Sequence, residues 1–174
     1  MKSDIINIDN QGKGFAEALE QTEKAAEFRA LSRKETLQLR LCTEEMLSLA
    51  RSVTGEMKAD FWLESEGKCF SLHLSTETVM DKEKRKNLIA SASSHKNEAA
   101  AGFLGRLRDA FEAAMLSEAS TDIPDEAMDD MVNRSIELPE WDAYEQSILR
   151  KAADSVKISI RGGLVDMTVA KHFE

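Results

Sequence analysis

Long apolar runs, basic runs and paired cysteines are all missing from this chain. No apolar stretch approaches the ~18 residues that mark a membrane-spanning helix. The opening MKSDIINIDN has no apolar core behind its lysine of the kind a secretion signal needs. Only two cysteines occur, Cys42 and Cys69, and without CxxC spacing they form neither a disulfide framework nor a zinc cluster. They read as two reduced core thiols. The net charge of −9 argues against nucleic acid or an anionic membrane as a partner, because either demands a basic patch. Lys82-Glu-Lys-Arg-Lys86 does not supply one; it contains an acid and reads as a solvated helix face. Histidine is scarce too, with no His–Glu–His spacing for a metal and no Ser–His–Asp grouping. His73 and His172 fall on the polar faces of their strands. Together these absences lead to the expectation of a cytoplasmic protein without nucleic-acid or membrane partners.

What is present is a foldable amphipathic pattern. With 42% hydrophobic and 32% charged residues over 174 positions, the chain is globular and long enough to bury roughly 70% of its unfolded surface. Ile5, Ile6 and Ile8 mark a short first strand. A helix over Gly14 to about Arg29 follows, with Phe15, Leu19, Ala26 and Phe28 as its apolar positions. Ser32 and Glu35 form a capping box for a second helix that runs to about Val53 and stops near Gly55.

Met57, Ala59, Phe61 and Leu63 then alternate with polar residues, as do Phe70, Leu72 and Leu74 beyond the turn at Gly67, which predicts an antiparallel hairpin with one buried face. Asp81 to about Ala92 reads as a charged helix. Asn97 to Met115 reads as a clearer one, with Phe103, Leu104, Leu107 and Phe111 on its apolar side. Residues 117 to about 139 are acidic and carry both prolines, Pro124 and Pro139. Trp141, Tyr144, Ile148 and Ala152 mark another amphipathic helix, whose face reads as docking within the molecule. Val156, Ile158 and Ile160, the turn Arg161-Gly-Gly163, and Val165, Met167, Val169 and Phe173 close the chain as a second hairpin. The expected fold is therefore α+β: a two-layer sandwich with a mixed, mostly antiparallel sheet of about five strands and helices on one face. It forms a single domain with an acidic, helical insertion at about 117–153.

On a helical wheel Leu39, Cys42, Met46, Leu49, Ala50 and Val53 share one face of the second helix, while Leu37, Leu41, Glu44 and Ser48 line nearly the opposite one. Two leucines on that second face suggest that it too is covered, which would place Glu44 and Ser48 in or beside a cleft. The plainer alternative is a solvated glutamate on a rim.

This layout, with LSRKETLQLRLCTEEMLSLARSV as its second helix, resembles the histidine-kinase-like ATPase superfamily (GHKL or Bergerat fold), nearest to the bacterial anti-sigma-factor serine kinases. The resemblance implies an ATP-binding regulatory protein that uses magnesium. If it is a kinase, its substrate would be a seryl residue on a partner of the sigma-factor or regulator type. Glu44 would be the catalytic glutamate. Ser48 would stand beside magnesium, where the family carries asparagine; a hydroxyl is the poorer ligand for a hard cation. Asp81 would meet adenine, although both glycines of the family's Asp-x-Gly-x-Gly box are missing here. Ser94, Lys96, Asn97, Gly102 and Gly105 would hold phosphates on a loop and helix N-terminus.

Each of these has its alternative. Asp81 is equally a helix N-cap, and 94–97 equally an ordinary capped loop. The missing glycines favour a second reading, a fold relative that has lost nucleotide binding and acts as a protein-interaction module. Trp62, on the outward sheet face with His73, reads as a partner surface or homodimer contact, or as one exposed aromatic.

Overall fold

The computed structural model describes residues 1–9, 13–54, 58–117 and 148–174. Expectations that rest on Gly55, Met57, Pro124, Pro139, Trp141, Tyr144 and the side chains of Val53 and Phe103 lie outside the described residues.

Period-two alternation dominates the fold. Five strands, β1 (Ile6–Asp9), β2 (Lys58–Glu66), β3 (Cys69–Glu77), β4 (Ser155–Arg161) and β5 (Leu164–His172), form one sheet in the order β1-β2-β3-β5-β4. Among the described residues every pairing is antiparallel, where the expected sheet is mixed. Alternation sends Ile6, Ile8, Phe61, Leu63, Phe70, Leu72, Leu74, Ile158 and Val169 into the core. Polar partners such as Ser71, His73, Ser75 and Thr168 occupy the other face. The product is a two-layer α+β sandwich.

Helices α1 (Phe15–Phe28) and α2 (Arg33–Thr54) cover the inner face of the sheet. The capping box closes as the sequence predicts: the Ser32 N–H donates to Glu35 Oε2 at 2.6 Å, and the Glu35 N–H to Ser32 Oγ at 3.4 Å. Hydrogen bonds from the Ser32 side chain and backbone lead the causes that hold the Glu35 carboxyl below its ordinary value.

The contact face of α1 differs from the expectation. Ala18, Thr22, Ala25 and Ala26 are buried, while Phe28 is exposed. Small residues bring α1 close enough for the Thr22 and Thr43 hydroxyls to meet at 3.0 Å inside the core. Of the expected apolar positions, Ala26 is buried, Phe15 is partly buried against the core and Leu19 is half-buried, so Phe28 is the one that misses the stripe.

After β3, α3 (Lys82–Ser91) packs against α2 and β4. The helix expected over 97–115 is broken. Asn97 caps a short 3-10 turn, Glu98–Ala100, and α4 (Gly102–Ser117) begins anew at Gly102, whose φ of +80° falls in the left-handed region that favours glycine. Residues 148–152 form a final helical stretch that drops Leu149 into the core. No helix among the described residues is long and apolar enough to cross a membrane.

Candidate functional site

Glu44 and Ser48 lie one turn apart on the outer side of α2, half-buried. Glu44 Oε1 accepts from Arg40 Nε at 3.2 Å, and Arg40 also pairs with Glu23 of α1. These hydrogen bonds, the one to Glu23 first, push the Arg40 guanidinium further into its charged form. Glu44 is therefore part of a strap across two helices, with a side chain 42% exposed. The expectation that both sides of α2 are covered is corrected: Leu37 is exposed, and with Leu41, Arg33, Lys34 and Gln38 it lines a shallow open groove of about 460 Å³.

Asp81 caps α3. Its Oδ1 accepts from the Lys84 N–H at 2.8 Å, and Lys84 Nζ lies 3.8 Å from its other oxygen. A second groove, of about 240 Å³, includes Asn97, Leu104, Gly105, Arg108 and Arg161. Neither groove contains Glu44, Ser48 or Asp81. The fold does not gather the candidate catalytic, adenine and phosphate positions around either of them.

The proposed phosphate positions have specific structural duties. Asn97 Oδ1 accepts from the Ile160 N–H at 2.8 Å and the Ala99 N–H at 3.1 Å, while Nδ2 donates to the Ile160 carbonyl at 2.9 Å and to Asp109. That uses both acceptor sites and both donors of the amide. Ser93 adds a second clamp, donating its N–H to the Val156 carbonyl and accepting the Val156 N–H, each at 2.8 Å. The loop is thus a cover for the free edge of β4, where an unpaired strand would otherwise template aggregation. Ser94 Oγ donates to Glu98 at 3.0 Å, and Lys96 is exposed. Gly105 is required by packing: an added Cβ would lie 2.8 Å from the Ala99 carbonyl oxygen. For ATP and magnesium the fit is poor, since Asn97 is saturated, Asp81 and Glu44 are engaged by neighbours, and Gly102 and Gly105 answer to backbone geometry. Among the described residues no group of three or more His, Cys, Asp or Glu is placed to hold a metal.

Two features escaped the sequence reading. The first is the orientation of α4. Its polar side faces the body: Asp109 pairs with Arg85 and Asn97, and Glu112 accepts from the Gly162 N–H at 3.0 Å. Leu104, Leu107, Phe111 and Met115 instead face outward, 78%, 59%, 65% and 57% exposed. Hydrophobic periodicity reports that a helix has an apolar face but not which way it turns.

The second feature is the set of contacts made on the sheet face opposite α1 and α2, where the sequence places Trp62 and His73 together without showing how they meet. Trp62 stacks on His73, with ring centroids 5.0 Å apart and planes 7° apart. Burial holds the His73 imidazole below its ordinary value, outweighing the attraction of Glu64. At the end of that face Cys69 is exposed, its Sγ 3.0 Å from His172 Nδ1. The expectation of two core thiols holds for Cys42, which burial pushes up to about 11, and fails for Cys69. Alternation carried the signal, because Cys69 precedes the inward Phe70. No family model matches the chain, and no curated protein matches it.

Proposed function

We propose that this chain is a protein-interaction module built on a fold resembling the histidine-kinase-like ATPases, and that α4 receives an amphipathic helix of a partner protein. The observation that carries this reading is the outward apolar stripe Leu104–Leu107–Phe111–Met115, on a helix anchored by its polar side. Four large apolar side chains at three- and four-residue spacing match the helix-in-groove mode of recognition. Exposed apolar patches of this kind mark interaction surfaces. Arg108, Asp109, Glu112 and Arg161 line the groove beside Leu104 and balance one another in charge, so the apolar stripe is the recognition feature.

The test places a photo-crosslinking phenylalanine analogue at Phe111 in cells. Adducts to an amphipathic helix of one other polypeptide are the expected result. Adducts only within the chain, only to a second copy, or none at all overturn it. The nucleotide reading is tested separately by thermal unfolding with Mg-ATP. Ligand at 100 times its dissociation constant adds about 2.7 kcal/mol, so a stabilisation of that size would restore ATP and magnesium to the description. An unchanged midpoint is expected.

A further inference from the structure

The β3–β5 ladder sets Cys69 directly opposite His172, and the β2–β3 ladder sets Glu66 on the other side of the same thiol. All three lie on the sheet face opposite α1 and α2, and Cys69 is exposed. The 3.0 Å contact between Sγ and Nδ1 is a hydrogen-bond distance, so a base lies within reach of a nucleophile. The base is also held in place. Asp154 Oδ2 accepts the His172 backbone N–H at 2.6 Å, and its other oxygen is held by Lys171 Nζ at 2.9 Å. Cys42, in contrast, is sealed in the core.

We propose that Cys69 and His172 form a thiol–imidazole pair that exchanges with small-molecule disulfides, making this end of the sheet a site of reversible S-thiolation. In the step, the Cys69 proton passes to His172 Nδ1 and the thiolate attacks one sulfur of a disulfide R–S–S–R. The Cys69–S–S–R bond forms as the R–S–S–R bond breaks. The leaving thiolate takes up the proton, so the disulfide is the only oxidant consumed. Other charges border the pair. Glu66 lies opposite Cys69 on β2. Lys68 is engaged by Glu35 and the Glu174 carbonyl oxygen, and Asp154 by Lys171. His172 is a positioning and proton-accepting group here, and its effect is readable in the pH profile.

The experiment exposes the folded, reduced chain to oxidised glutathione and follows the mixed disulfide by mass spectrometry from pH 6 to 9. One adduct is expected, on Cys69; Cys69→Ser abolishes it and Cys42→Ser leaves it unchanged. His172→Gln, which removes the proton acceptor at 3.0 Å, should slow the reaction at pH 7 several-fold and change the rate profile. The proposal is overturned if no adduct forms on Cys69, if Cys42 is the modified residue, or if His172→Gln reacts like the parent with the same profile.

Discussion

The Asn97 side chain holds both backbone polar groups of Ile160, accepting its N–H at 2.8 Å and donating to its carbonyl at 2.9 Å. An amide in this position completes the edge strand as a neighbouring strand would. Asn97→Ala would leave a buried N–H and C=O without partners and release Asp109, so we expect a loss of about 2–4 kcal/mol. Asn97→Asp, which loses the donor, should recover only part of it. Denaturant unfolding with unchanged slope measures both.

Gly105 presses α4 against the 3-10 turn. Gly105→Ala, ordinarily favourable within a helix, should here destabilise by about 1–3 kcal/mol, because the new methyl meets the Ala99 carbonyl oxygen and the Ala100 backbone. Gly102→Ala has open space around it and should suffer only from the positive φ, at about 1–2 kcal/mol. Thermal unfolding of the two variants separates crowding from conformation.

Phe111 and Leu149, both large and apolar, should behave oppositely. Phe111→Glu, on an exposed face, should shift stability by less than about 0.5 kcal/mol. Leu149→Ala, in the core, should cost about 2–5 kcal/mol. The pair is measured by chemical denaturation; a large loss for Phe111→Glu would mean that α4 is covered in solution.

Stability should fall at acid pH through Asp154. Burial alone would raise its carboxyl, but the hydrogen bonds from Lys171 and the His172 N–H outweigh it and hold the group below its ordinary value. A depressed folded value means that this stabilisation is full above the unfolded value, near pH 4, and is lost as pH falls through the folded one. Asp154→Asn should flatten the acid limb of a plot of unfolding midpoint against pH.

His73 acts at milder pH. Burial lowers its folded value, so the unfolded chain binds the proton more tightly. The neutral ring is compatible with full stability above about pH 6.5, and stability declines as pH falls below it. His73→Gln should remove that decline while leaving the acid limb set by Asp154.

The sequence alone determined the strands, most of the helices and the fold class, because alternation and capping are local; the break between the turn at Glu98–Ala100 and α4 it did not show. Ala59-to-Leu63 and Phe70-to-Leu74 could only be a half-buried hairpin, and Ser32 with Glu35 could only begin a helix. It also marked Asp81 as a possible cap, which the hydrogen bond to Lys84 bears out. What tertiary structure decided was direction and partnership. Whether the apolar face of α4 turned inward, whether Glu44 met a cleft or Arg40, and whether Cys69 met His172 depend on contacts between residues far apart in the chain. The same side-chain types satisfy either outcome, and only strand register and helix packing distinguish a binding residue from one that holds the scaffold together.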